Sequence, residues 1–423
     1  MPERKVDVAV LGAGPAGLAA AIAAKEAGAK DVVVIDRNDW LGGILPQCIH
    51  DGFGVEETGA SLTGPEYAER YAAKARELGV ELMTETMVIE MDSRRRLTAV
   101  NRDGVHIINA GSVVLATGCR ERTRWSALIP GTRPKGIYTA GVAQGLVNLH
   151  NKMVGKKVVV LGSGNVGLIM ARRMLLEGAK VLAVVEILPY ATGLPRNVVQ
   201  CLEDYDIPLY LGHTITRIHG REALEKVTIS KVDKDLRPIK GTDRTIACDT
   251  LLLSLGLVPE NELARSIGIT LDPRTGGPMV NEHMHTMANG FYACGNCLHV
   301  HDSVDVLVRE AAVAGKAAAL ASVMGLPAEA KASRGLEVTA GKNVSYVVPQ
   351  WVETAGIFDL ALRPSGLIKK PVYLKVLADG KEVFKKRLPC ALPSTMVRVR
   401  ATLTSEVIGP CEWLEVTLDE QRT

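Results

Sequence analysis

Two glycine-rich fingerprints of one design, VAVLGAGPAGLAAAIAA from Val8 and VVVLGSGNVGLIMARRM from Val158, restrict this chain more than any other feature. In the first, Gly12, Gly14 and Gly17 fall where a buried apolar strand turns into a helix, with Pro15 and Ala16 between them. Asp36 then closes the next strand, VVVIDR, just ahead of Arg37. In the second, Gly162, Gly164 and Gly167 take those places around Asn165 and Val166, and Glu186 closes LAVVE. Asp36 follows Gly12, and Glu186 follows Gly162, at the same interval of 24 residues. The first glycine permits the tight turn, the second lets backbone approach a pyrophosphate, and the third lets helix and strand pack closely. The pyrophosphate then rests on unpaired helix N–H groups and a partial positive charge. The acid accepts hydrogen bonds from a ribose diol. Two such units in register with strand, helix and acid imply two dinucleotides, and so a redox protein.

Composition bounds the rest. A chain of 423 residues suggests roughly three domains of about 150 residues each. A net charge of +3 gives no nucleic-acid footprint, and aromatics at 4% leave few platforms for stacking bases. Met1 to Lys5 lead directly into the first strand, which leaves no room for a signal peptide. No uncharged run reaches the roughly 18 residues that span a bilayer. A soluble, cytoplasmic protein is expected, without a transmembrane segment. The eight cysteines are scattered through the chain, as reduced thiols would be, and do not suggest a disulfide framework.

Residues 5 to 118 alternate strand and helix, with a helix over 64–78 and a buried strand, SVVLATG, over 112–118, so a parallel sheet is implied. The Gly- and Pro-punctuated segment IPGTRPKGIYTAG (129–141) leads into a second α/β unit that closes on TLLLSLG (250–256). The chain returns through FYACGN (291–296) to a helix of small residues over 304–324. Beyond Gly325, period-2 stretches such as VSYVVPQWV, PVYLKVLA and MVRVRATL replace helices, and ADGKEV reads as a hairpin turn at Asp379-Gly380. The expected division is a discontinuous first domain, 1–118 with 257–328, a second domain, 119–256, and a small all-β domain, 335–423. The last carries Lys369, Lys370, Lys381, Lys385, Lys386 and Arg387, a pattern that fits a solvated strand face better than a docking face.

Only the first unit carries further ligand-type features. Gly42 and Gly43 follow Asp36 closely, one strand ends in Ala116-Thr117-Gly118, and another ends in Gly295-Asn296 before the small-residue helix. Ligands in open α/β sheets lie outside the carboxyl ends of the strands, so these segments should converge on one dinucleotide. This ordered set, over residues 5–328, resembles the flavoproteins with two dinucleotide-binding domains, glutathione-reductase-like in fold. There the first fold holds FAD and the inserted one NAD(P)H. TGCRERTR (117–124), IPGTRPKGIYTAG and GGILPQCIHDGFG (42–54) look like a narrower group. It contains the alpha subunits of opine oxidase, hydrogen cyanide synthase and sarcosine oxidase, and the NADH-type flavoprotein that accompanies glycerol-3-phosphate dehydrogenases. The β-rich tail looks most like the last.

The resemblance implies that Gly12, Gly14, Pro15, Ala16, Gly17, Asp36, Arg37, Gly42, Gly43, Ala116, Thr117, Gly118, Gly295 and Asn296 bind FAD, with the backbone of Val88 near adenine. It implies that Gly162, Gly164, Asn165, Val166, Gly167 and Glu186 bind NAD. Asn296 departs from the aspartate usual in the superfamily, although an amide can still accept and donate there. Glu186, followed by Ile187-Leu188-Pro189 with no arginine, disfavours a 2′-phosphate and hence favours NAD(H) over NADP(H).

Cys48 lies where disulfide reductases of this superfamily carry a Cys pair, but no second cysteine follows nearby. It could tune or relay beside the flavin, or simply pack the loop. Cys294-x-x-Cys297 with His299, His301 and Asp302 has the spacing of zinc ligands, yet Gly295-Asn296 are committed to FAD, so no metal is expected. His299 and His301 are candidates for carrying the proton that accompanies hydride transfer, alongside a purely structural reading. The resemblance implies an electron-transfer subunit of a heteromeric dehydrogenase of glycerol-3-phosphate, hydroxy-acid or amino-acid type. It further implies an oligomer, with a dehydrogenase or small redox protein as partner. The alternative is a self-sufficient NADH oxidase or quinone/disulfide-type reductase.

Overall fold

A computed structural model describes residues 3–324, 335–409 and 411–420. Positions 325–328 of the expected first domain lie outside the described residues. The chain divides into two compact units, Met1–Cys119 with Pro259–Thr423, and Arg120–Val258.

In the first unit the fully buried strand Val32–Ile35 and the strand Glu3–Leu11, buried from Val8 onward, sit centrally in a seven-stranded sheet. Its order runs Glu81–Met83, Val32–Ile35, Glu3–Leu11, Gly104–Leu115, Arg96–Asn101, Met87–Met91, and Phe291–Ala293 pairs with the end of Gly104–Leu115. The pairings Val10 with Val34, Val10 with Val114, and Tyr292 with Val114 are parallel. They bring four strand C-termini, at Leu11, Ile35, Leu115 and Ala293, to one edge, from which the candidate ligand loops emerge. The strand expected over 112–118 is the end of a longer one that begins at Gly104 and stops at Leu115. This frees Ala116-Thr117-Gly118 as a turn.

Two helices cross this sheet together. Pro15–Glu26 is alanine-rich and buries Ala16, Ala19, Ala20 and Ala24. Val304–Val323 buries Ala311, Ala314, Gly315 and Ala318. Small side chains let the backbones approach until a Cβ on Gly315 would lie 1.9 Å from the Ala20 carbonyl oxygen. The helix Gly64–Glu77 starts on a capping box, in which Thr63 and Glu66 satisfy each other's backbone N–H groups.

The second unit has a five-stranded parallel sheet in the order Ile137–Thr139, Thr250–Leu253, Lys157–Leu161, Lys180–Glu186, Leu209–Leu211. A three-stranded antiparallel meander, His213–His219, Lys226–Lys231 and Arg244–Ala247, accompanies it.

From Leu336 onward two sheets share one apolar core that includes Leu362, Val372, Leu374, Val376, Val416 and Leu418. Asp379 and Gly380 both have positive φ, 46° and 81°, as a two-residue type I′ turn between Val372–Ala378 and Lys381–Leu388 requires. One helical turn, Ser405–Ile408, interrupts the expected all-β pattern. Lys375 is paired with Glu382 and Asp419, and Lys385 lies over the Tyr373 ring at 4.4 Å. This region packs on the residues that follow Pro259. The Gln350 side chain accepts from the Val280 N–H and donates to Asp272, and Glu282 accepts from the N–H groups of Glu353 and Thr354.

Gly315→Val should overpack the helix pair and lower stability by about 2 kcal/mol in a urea titration. Gly366→Ala, where a Cβ meets nothing within 4 Å, should leave the midpoint unchanged.

Candidate active site

The first glycine turn is built to receive a phosphate. Gly12 has φ +111°, and a Cβ there would lie 2.3 Å from the Ala116 carbonyl oxygen, so the turn and the Ala116-Thr117-Gly118 loop touch through backbone alone. A Cβ on Gly14, by contrast, would meet nothing within 4 Å. Gly14 caps the helix Pro15–Glu26 without any side-chain hydrogen bond, which leaves its first-turn N–H groups to a ligand. Asp36 is buried; Oδ2 accepts from the Ala13 N–H at 2.7 Å and Oδ1 from the Asn38 N–H at 2.8 Å. The lone pairs left over can accept a ribose diol. The Gly42 N–H donates to the Ala13 carbonyl at 2.8 Å, and a Cβ on Gly43 would lie 3.0 Å from Gly14 Cα. Thr117 Oγ1 donates to the Glu260 carbonyl at 2.6 Å, and Arg37 pairs with the Glu260 carboxylate at 3.5 Å. Val88 lies two residues past Thr86, whose N–H donates to the Asp36 carbonyl at 2.8 Å. The structure therefore gathers the glycine turn, Asp36, Gly42-Gly43 and Ala116-Thr117-Gly118 around one uncapped helix start, a cradle that fits a dinucleotide.

The second turn repeats the plan. Gly162 has φ +95°, and Gly164 caps Asn165–Leu176 with no side-chain bond. Glu186 is buried, accepts from the Ser163 N–H at 2.9 Å and from Ser163 Oγ at 2.6 Å, and takes the Leu188 N–H at 3.0 Å. Asn165 Oδ1 accepts from the Leu194 N–H at 2.7 Å and from Asn197 Nδ2 at 2.9 Å, so its side chain fastens the segment after Glu186, and only its backbone is left for phosphate. Val166 is half-buried against the apolar core beneath.

The segment after Asn296 is the most densely polar part of the first unit. Asn296 Oδ1 accepts from the His301 N–H at 3.0 Å. Its NH₂ group is then what it offers outward, a donor where an aspartate would accept. His299 is buried, and its Nε2 lies 2.7 Å from Glu310 Oε2; His301 Nε2 lies 3.3 Å from the same oxygen. The two imidazole rings stand 4.2 Å apart, and His299 meets Tyr346 edge-on at 5.8 Å. Burial pushes the His299 pKa down more than Glu310 pulls it up. Although burial raises Glu310, the two imidazoles together hold its carboxyl well below the ordinary value. With Nε2 of His299 given to Glu310, a proton-carrying role would fall on its Nδ1, which faces no protein partner.

Asp302 accepts from Arg363 Nη1 through both oxygens, at 2.8 and 3.0 Å, and from the Met396 N–H at 2.6 Å. Arg363 also donates to the Val300 carbonyl at 2.9 Å and the Pro393 carbonyl at 3.2 Å. The β region thus grips the loop between Asn296 and the helix Val304–Val323.

The cysteines stand apart from this cluster. Cys297 Sγ donates to the carbonyls of Leu115 and Cys294, and burial pushes both thiols of the C-x-x-C pair up. Burial likewise raises Cys48 to about 12, so it is a neutral thiol at ordinary pH. It packs against the start of the helix Gly64–Glu77, where a Cβ on Gly64 would lie 2.8 Å from its own Cβ. Sequence reasoning missed Glu310, whose only signal is an acid on an otherwise small-residue helix face, and Arg363, which carries no local signal at all. Arg124 donates to the carbonyls of Ile129, Gly131 and Thr132 and braces its own loop.

Two strand–glycine turn–helix units, each closed by a buried acid, define a two-dinucleotide flavoprotein fold. The chain belongs to the pyridine nucleotide-disulphide oxidoreductase family, whose model matches residues 6–318. The description of that family is of oxidoreductases that work with a pyridine nucleotide. An opine oxidase subunit from Agrobacterium tumefaciens (strain Ach5) is 26% identical over 347 residues, 76% of this chain and 66% of that protein. An NADH oxidase of Methanocaldococcus jannaschii is 30% identical over 57% of this chain and 54% of the relative. The matched region thus spans less than two thirds of these relatives' own length. A crystal structure of thioredoxin reductase from T. acidophilum shares the fold, with a TM-score of 0.60 and 22% identity over 76% of this chain and 99% of that one. No helix among the described residues is long and apolar enough to cross a membrane.

Arg363→Met should leave Asp302 largely buried without its cation and cost about 3 kcal/mol in urea unfolding. Arg363→Lys, which keeps the charge but not the fork, should recover part of that loss.

Proposed function

We propose that this protein is an FAD-dependent NAD(H):acceptor oxidoreductase that serves as the electron-transfer subunit of a heteromeric dehydrogenase. The observation that carries the reading is the duplicated acid-closed glycine turn, with extra ligand-shaped loops on the first copy only. When bound, the cofactors supply hydride exchange between nicotinamide and flavin. The chain's own part is placement. Asp36 and Glu186 fix the two turns, the uncapped helix starts at Gly14 and Gly164 take the pyrophosphates, and Gly42, Gly43, Thr117, Gly118 and Asn296 line the first dinucleotide.

Glu186 supports NAD(H) over NADP(H). Its carboxylate is held in place by Ser163 and Leu188, and no arginine follows it in Ile187-Leu188-Pro189. A 2′-phosphate about 4 Å away would meet a repulsion of about 4 kcal/mol per charge pair at an effective dielectric of about 20. Two likenesses support partnership with a dehydrogenase or small redox protein. One is to the opine oxidase subunit, and the other to the hydrogen cyanide synthase subunit HcnB of Pseudomonas protegens, 24% identical over 62% of this chain. None of the eight cysteines is in a disulfide, in keeping with a reducing, cytoplasmic setting. The likeness to an NADH oxidase favours a second reading, an enzyme that reduces its acceptor unaided. The neutral, single Cys48 gives no support to a disulfide acceptor at that loop.

Anaerobic titration of the yellow protein should bleach the flavin band at far lower NADH than NADPH. Glu186→Gln should narrow that preference by at least about tenfold. No bleaching by either, with FAD bound, would overturn the reading. Fast oxygen consumption with NADH by the isolated chain would favour the self-sufficient oxidase instead.

A further inference from the structure

His299, His301 and Glu310 bring three metal-type donor atoms together at one buried place. Their ligand atoms all lie within 4.8 Å of one another, and the side chains of His299 and His301 are each only 1% exposed. His301 is the unexplained member. Its Nε2 sits 3.3 Å from Glu310 Oε2, yet neither Nε2 nor Nδ1 makes a hydrogen bond, and both are buried. A buried imidazole nitrogen that faces a carboxylate oxygen at 3.3 Å without a well-formed hydrogen bond is under-satisfied, and an ion between the two would satisfy both. The charge balance points the same way. Among the described residues, Glu310 has no Lys or Arg paired with it, its ion-pair partners being the two imidazoles, and the nearby guanidinium of Arg363 is committed to Asp302.

We propose that His299 Nε2, His301 Nε2 and Glu310 Oε2 bind a divalent first-row transition ion such as Zn²⁺ or Fe²⁺. Two nitrogens and one carboxylate oxygen are the donor set such ions take, at ~2.0–2.2 Å, with a further position left open. The separations of 2.7 and 3.3 Å from Glu310 Oε2 to the two imidazoles fall within what neighbouring ligands on one ion span. The oxygen-preferring ions Mg²⁺ and Ca²⁺ suit this set poorly. Cys297 takes no part, since its Sγ is turned to the Leu115 and Cys294 carbonyls. The ion would bridge the loop after Asn296 to Glu310 in the second turn of the helix Val304–Val323, and so fix the loop whose His301 N–H holds Asn296.

The test counts metal, not turnover. The FAD-loaded protein, stripped with a chelator and dialysed against Zn²⁺ or, anaerobically, Fe²⁺, should retain a single ion per chain by mass spectrometry. His301→Ala and Glu310→Gln should each weaken retention at least tenfold, while Cys294→Ala should retain the ion. Flavin content and circular dichroism report whether each variant is folded. X-ray absorption on the wild-type ion should show imidazole and carboxylate neighbours, which keeps the proposal testable if the variants do not fold. No retained ion, unchanged retention in folded His301→Ala and Glu310→Gln, or sulfur neighbours at the ion would overturn it.

Discussion

A buried carboxylate that accepts the backbone N–H just after the first glycine of each turn is the interaction on which both nucleotide folds depend. Asp36 takes the Ala13 N–H and Glu186 takes the Ser163 N–H, at 2.7 and 2.9 Å. Each bond ties the end of the second strand to the turn that starts the first helix, so the helix start points at the ligand before any ligand arrives. A charge-assisted bond is stronger than a neutral one, and burial raises the cost of breaking it. The same oxygens that hold the turn keep lone pairs to spare, so the acid is a structural brace that can still accept a further donor.

The small residues of Pro15–Glu26 and Val304–Val323 extend this logic into packing. Close backbone approach at Gly315 sets where the second helix begins, and the Asn296–Ser303 loop must bridge from the sheet to that point. Arg363 finishes the arrangement from the β region by holding Asp302 and the Val300 carbonyl. The β region is therefore more than an appended module, because its side chains fix the geometry of a loop beside the first dinucleotide site.

The site also shows how one superfamily frame diverges from disulfide chemistry. The loop after Gly43 holds one neutral, packed thiol, and in the C-x-x-C pair Cys297 Sγ donates to the carbonyls of Leu115 and Cys294. Buried polar side chains gather instead in the loop and helix that follow Asn296, where His299 and His301 meet Glu310.

The sequence alone determined the two nucleotide folds, the acids that close them, the hairpin at Asp379-Gly380 and the change to strands after Gly325. These are local matters: a glycine turn, a period of two or a small-residue helix needs only neighbours in the chain to declare itself. Only the tertiary structure decided that the Gly104–Leu115 strand ends before Ala116, that Cys294 and Cys297 stand aside, and that Glu310 meets His299 and His301. It alone showed Arg363 against Asp302, 61 residues away. Those pairings join segments whose sequences carry no mark of each other. They exist because burying a charge or an imidazole requires a partner, and the fold, by bringing distant segments together, determines which one is within reach.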